Sequence, residues 1–143
     1  MRFAFISTMH DWQWGGSEEL WSQAAIKLKQ AGHDVHASVA YWPHLSDKVT
    51  ALGQHGIKLE LHGSQNAAQI RRLWNKLSAN TRRAYGRLKR FNPDLVVLSQ
   101  GHNSGGFQWA AICREAAIPY VIIVQCNYEH WWFLEQAGES AAS

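Results

Sequence analysis

Apolar positions along this chain alternate between two periods. Met1-Arg2-Phe3-Ala4-Phe5-Ile6-Ser7-Thr8 is a run of strand formers, and from Ser17 the pattern turns helical until Ala31, with Gly32 placed to cap the end. His33 to Ala40 reads as a second strand, followed by a loop from Tyr41 to Leu45 that holds Pro43. Ser46-Asp47 caps a short helix ending near His55-Gly56. Ile57 to His62 alternates at period two, which predicts a third strand with one exposed face near a sheet edge.

The next stripe is the longest. Ile70, Leu73, Trp74, Leu77, Thr81, Ala84, Tyr85 and Leu88 keep helical spacing until Phe91-Asn92-Pro93 stops them. Asp94 to Ser99 is a continuous apolar run, as a central strand covered on both faces requires. A loop from Gln100 to Gly106 leads into a helix over Phe107–Ala117. Ile118-Pro119 then introduces a fifth strand, Tyr120 to Gln125, whose apolar composition predicts burial.

Strands alternating with helices imply parallel pairing through right-handed crossovers. The expected fold class is therefore α/β, a three-layer Rossmann-like open parallel sheet in the order 3-2-1-4-5. Its crevice lies where the connections reverse, between strands 1 and 4. That crevice gathers the loops Met9–Gly16, Gln100–Gly106 and Gln125–Trp132, all rich in Gly, Asn, His and Trp.

Composition narrows the class. With 46% hydrophobic and 17% charged residues over 143 positions, the chain has a globular core and is no disordered tail. No apolar stretch is long enough for a membrane span, and the start lacks the features of a signal peptide. Cys113 and Cys126 have no metal-ligand spacing and fit reduced thiols in a cytoplasmic protein. No histidine pair has helical ligand spacing either, so no metal site is expected.

Candidate chemistry concentrates at the first strand-to-helix turn. Gly15-Gly16 lets a backbone approach a ligand closely, and the helix behind them offers free amides and the positive end of its dipole. That suits a phosphate or diphosphate, though a glycine pair also makes a plain tight connection. Glu18, in the first turn, is expected to be a capping and dipole partner, not a catalyst. Trp12, Trp14, Trp131 and Trp132 either stack on sugar rings or pack against protein.

Four segments, in order, resemble a known family. Gly15-Gly16-Ser17-Glu18, Ala31-Gly32-His33-Asp34-Val35, Pro93-Asp94-Leu95-Val96-Val97 and Ile118-Pro119-Tyr120-Val121-Ile122 resemble the N-terminal domain of retaining glycosyltransferases of family 4 (group 1), which have the GT-B fold. The resemblance runs from Met1 to about Trp132. It implies an acceptor-side domain over residues 1–127, with residues 128–143 starting a helix toward a donor-binding domain that this sequence lacks.

Several expectations follow from the resemblance. The complete enzyme transfers a sugar from a nucleoside-diphosphate donor to a glycan or lipid-linked acceptor, as in cell-envelope polysaccharide biosynthesis, with no cofactor and with the nucleotide-sugar as substrate. This half is inactive without its partner domain. Gly15 and Gly16 lie near the donor diphosphate; Trp14, His102, Asn103, Gln125, Asn127 and Trp131 are candidates for sugar or acceptor contact. Where many members place a histidine after the fifth strand, Gln125 stands here, able to hydrogen-bond but not to titrate. Catalytic residues are not assigned.

The net charge of +3 hides a concentration of Lys and Arg from Arg71 to Arg90, where no acid occurs. This stretch is a solvated helix face, a docking surface for anionic lipid at the inner face of the membrane, or a phosphate-binding patch. No recognised nucleic-acid module accompanies it, so no nucleic-acid partner is expected. Two other classes share such architectures: a non-catalytic Rossmann-like binding module, and half of a GT-B-like epimerase or hydrolase.

Overall fold

A computed structural model of the chain describes residues 1–9, 12–62, 86–101 and 106–125. In order these form β1 (Arg2–Ser7), α1 (Gly16–Gln30), β2 (Asp34–Ala40), α2 (Asp47–Gln54), β3 (Lys58–His62), a short helical stretch α3 (86–91), β4 (Leu95–Ser99), α4 (Phe107–Glu115) and β5 (Tyr120–Ile123). All pairings are parallel and the strand order is β3-β2-β1-β4-β5, as the alternation requires.

Each face of the sheet carries its own core. Phe3, Phe5, Val35, Ala37, Val39 and Val97 point toward α1 and α2, where Trp21, Val49 and Leu52 are fully enclosed. On the other side Ala4, Ile6, Val96 and Leu98 meet Leu88, Ala110, Ile112 and Cys113. Burial raises the Cys113 thiol to about 11, so it packs as an inert side chain.

The glycine after α1 does what its position suggests. Gly32 takes φ 84°, its amide bonds Lys29 O, and the His33 amide bonds Leu28 O. Helix α1, however, begins one residue before the expected Ser17, with Gly15 as its N-cap.

One expectation is corrected. Tyr120 to Val124 was expected to be buried, yet Tyr120, Val121, Ile122 and Val124 are 36% to 51% exposed. β5 is the outer strand among the described residues, and of its side chains Ile123 packs against the core. Apolar composition marks a strand for burial but does not supply the cover.

Candidate functional site

The C-terminal ends of β1 and β4 are stapled together where the chain direction reverses. The Thr8 amide and hydroxyl both donate to Ser99 O, at 2.9 and 3.1 Å, and the Gly101 amide donates to the Thr8 hydroxyl at 3.1 Å. A Cβ on Gly101 would stand 2.7 Å from Met9 Cα, so only glycine permits the two loops to pass. β5 joins the same end through Gln100 N to Ile123 O at 3.0 Å.

Two helices start at this end, each behind a glycine. Gly15 caps α1 in extended conformation and Gly106 caps α4 with φ 92°. Neither cap has a side chain to satisfy the first-turn amides, so neither helix has a side-chain cap of its own. Gly106 lies against Thr8, where a Cβ would be 3.6 Å from the Thr8 methyl carbon.

The buried polar side chains of the described residues gather here as well. Ser7, Ser17, Glu18, Ser22, Ser99 and Gln100 are each under one-tenth exposed. The Glu18 carboxylate accepts from the Ser7 hydroxyl at 2.7 Å and the Ser17 hydroxyl at 2.8 Å. Its expected role in the first turn is thereby extended: it ties β1 to α1. Ser99 pairs with Ser7 in the strand register, and among the described residues its buried hydroxyl has no hydrogen-bond partner; neither does the Trp21 indole N–H.

Gly15 and Gly16 lead α1 as expected. Gln125 reaches them from the end of β5: its Oε1 lies 3.3 Å from where a Gly16 Cβ would be. Gln125 is itself exposed. Trp14 is half-buried, tilted against Trp21 at 6.4 Å, with its indole N–H donated to Glu19 at 2.9 Å and the Lys48 ammonium 5.4 Å from its ring centroid. Lys48, Trp14 and Gln23 together hold the exposed Glu19 carboxyl down to about 2. Trp12 is largely exposed. His102, Asn103, Asn127 and Trp131 lie outside the described residues, as does most of the basic stretch; Arg87, Lys89 and Arg90 are exposed.

Sequence reasoning missed Gln13. Its carboxamide donates to His44 O at 2.8 Å and accepts from Ser46 N at 2.6 Å, so it pins the loop before the glycine turn to the start of α2. A lone glutamine in a loop gives no signal of this. Among the described residues, no three His, Cys, Asp or Glu side chains come together as a metal centre would need.

No family model and no curated protein matches the chain. Solved structures do. MurG of Acinetobacter baumannii superposes with a TM-score of 0.60 at 19% identity, over 85% of this chain and 34% of that one. The glycotransferase of kitacinnamycin gives 0.59 at 13% identity, over 96% and 34%. A deacetylase of the teicoplanin biosynthetic pathway gives 0.60 at 14% identity, over 84% and 62%. The chain thus spans about a third of the two transferases and under two thirds of the deacetylase. At such identities the likeness shows the fold, a Rossmann-like domain of the kind that forms half of a GT-B glycosyltransferase.

Proposed function

We propose that this chain is the acceptor-side half of a two-domain retaining glycosyltransferase of family 4. In this reading the glycine turn presents peptide amides to the donor diphosphate across the cleft between the domains. One observation carries the reading: the segment after β5 brings Gln125 beside Gly16, so a polar side chain meets a helix start that has no side-chain cap at the switch point.

The position of Glu18 refines the placement. Its Oε2 lies 3.2 Å from the Cβ position of Gly15, so acceptor oxygens already stand behind that residue. An anionic leaving group is taken further out, at Gly16, where the nearest side chain is a neutral carboxamide. There the amides and the α1 dipole stabilise charge that develops as the sugar departs. Gln125 would bond a sugar hydroxyl as donor or acceptor. Trp14, His102, Asn103, Asn127 and Trp131 remain the proposed sugar and acceptor contacts. The acceptor is a glycan or lipid-linked glycan of cell-envelope synthesis, handled on the cytoplasmic side. The basic stretch Arg71–Arg90 would dock on anionic lipid. The nucleotide-sugar is a substrate, no cofactor is assigned, and turnover requires a donor-binding domain beside this one.

The fold does not choose the chemistry, since a deacetylase matches it as well as the transferases do. The test pairs this chain with its donor-binding domain and assays sugar release from nucleoside-diphosphate sugars to an acceptor extract. Gly16→Val should cut transfer at least tenfold while shifting the unfolding midpoint little, because a Cβ there meets the side chain of the exposed Gln125. Equal loss of transfer and stability would make the glycine pair structural. Hydrolysis of N-acetyl groups without transfer would favour the deacetylase class.

A further inference from the structure

Among the described residues, the two edges of the sheet are guarded differently. β3 carries Lys58 and Glu60, and Glu60 lies 3.7 Å from Arg87 Nε, so a strand approaching that edge meets fixed charge. β5 has no such guard. From Ala116 to Tyr128 the sequence holds no charged residue. Tyr120, Val121 and Ile122 of β5, and Val124 just after it, leave a third to a half of their surface exposed. An apolar edge without charge is a template for pairing with a further strand.

The hydrogen bonds to β4 fix which backbone groups face outward. Pro119 O accepts from Val96 N at 2.9 Å, and Ile123 O accepts from Gln100 N at 3.0 Å. Successive residues of a strand direct their backbone groups to opposite sides, so Pro119, Val121 and Ile123 are turned toward β4. Tyr120, Ile122 and Val124 therefore turn their amides and carbonyls to the free edge. Strand alternation also sets the side chains of these three on one face, that of Val96 and Leu98 in the register. Val121 lies on the opposite face with Ile123, which packs on the core.

We propose that β5 pairs antiparallel with β5 of a second copy of this chain, about a two-fold axis at Ile122. Charge selects this occupant. A two-fold axis sets a surface against itself, so an edge bearing charge meets its own like charges, and an uncharged edge does not. A partner recognised through charge finds nothing here to pair with. The register is self-matching as well. With Ile122 opposite Ile122, Tyr120 of each copy faces Val124 of the other, and every outward residue exchanges both of its backbone bonds. An aromatic ring then meets a β-branched side chain on each side of the axis, a favourable cross-strand pair. Two five-stranded sheets become one continuous sheet. The inference uses no residue of the glycine turn and stands apart from the transferase reading.

The test follows the full chain by analytical ultracentrifugation from about 1 to 500 μM, where dimers should form with a Kd of about 10–100 μM, the weak range of a small contact. Ile122→Lys sets two ammonium groups face to face and should weaken association by about tenfold or more. Leu61→Lys, at an exposed position of the β3 edge, should leave it unchanged. Two NMR readouts need no variant. The amides of Tyr120, Ile122 and Val124 should gain protection from hydrogen exchange as concentration rises. A mixture of labelled and unlabelled chain should show Hα–Hα NOEs between Val121 of one copy and Ile123 of the other, which this register sets opposite each other. The proposal is overturned if the chain stays monomeric, if Ile122→Lys associates as tightly as the parent, if Leu61→Lys dissociates the dimer, or if those NOEs are absent. Protection of the three amides at every concentration would show the edge covered from within one chain, and would equally overturn it.

Discussion

Thr8 and Gly101 are 93 residues apart in sequence, and the Gly101 amide donates to the Thr8 hydroxyl at 3.1 Å. The same hydroxyl donates to Ser99 O at 3.1 Å, so one side chain bridges the loop after β4 to the end of β1. This bridge fixes the width of the crevice into which both glycine-led helices open.

Gly101→Ala should therefore be costly although its backbone is not left-handed. The new methyl would stand 2.7 Å from Met9 Cα and 2.9 Å from Met9 N, both backbone atoms that cannot swing aside. We expect a loss of about 2–3 kcal/mol by urea unfolding, the range of severe core overpacking. Gly86→Ala is the control, since a Cβ there meets nothing within 4 Å and sits in a helical stretch. Equal stability of the two variants would mean that the crevice loops part freely.

The Ser7–Glu18 pair makes a second claim about the same end of the sheet. Glu18→Ala strips two buried hydroxyls of their acceptor and should cost about 2–3 kcal/mol, while Ser7→Ala should cost about 1 kcal/mol. Because the two groups bond each other at 2.7 Å, the double variant should lose clearly less than the sum. Additive losses in that cycle would show that Glu18 is held by other means.

Much of the frame was legible because periodicity and punctuation are local. The parallel order and the crevice followed from alternating elements, and Gly32 from its place after a helical run. What stayed hidden depends on partners far along the chain. Gly101 carries no sequence mark of its close approach to Met9, and Glu18 reads as a helix-start acid with no hint of Ser7. The β5 misreading has a similar cause: Val121 and Ile122 look the same whether a neighbour covers them or not. The candidate site was half legible. The glycines mark the turn and Gln125 reaches it, but Trp14 is engaged by Glu19 and Lys48, a contact spanning three separate elements.

Ala117 offers a stabilising substitution. It follows α4 with φ 53°, its amide bonded to Arg114 O and the next amide to Cys113 O, the place a glycine usually takes. A methyl in the left-handed region is strained, although glycine loses more freedom on folding. The strain should win, and Ala117→Gly should raise stability by about 0.5–1 kcal/mol in thermal unfolding. A lower midpoint would show that the turn relaxes around alanine at no cost.

The histidines of the β2–β3 face set an acid limit. Burial first, and then the charge of Arg87, lowers His62 from 6.5 to about 4. Burial also lowers His36, against the pull of Asp34 and Glu60 and with the push of Lys58 and Lys29. The folded protein therefore takes up these protons at lower pH than the unfolded chain, which does so below about pH 6.5. The contribution of His62 is complete above that value and falls away as pH drops toward 4, amounting to up to about 3 kcal/mol, and that of His36 falls in the same direction. Glu19, held at about 2, loses its contribution only at lower pH and does not shape this window. Unfolding by urea at pH 7, 6 and 5 should show a steep decline in the parent chain and a shallower one in His62→Gln. Since other carboxylates titrate alike in both chains, the difference in slope isolates the imidazole. Parallel slopes would mean that His62 is protonated in the folded state at pH 5, with its ring open to water.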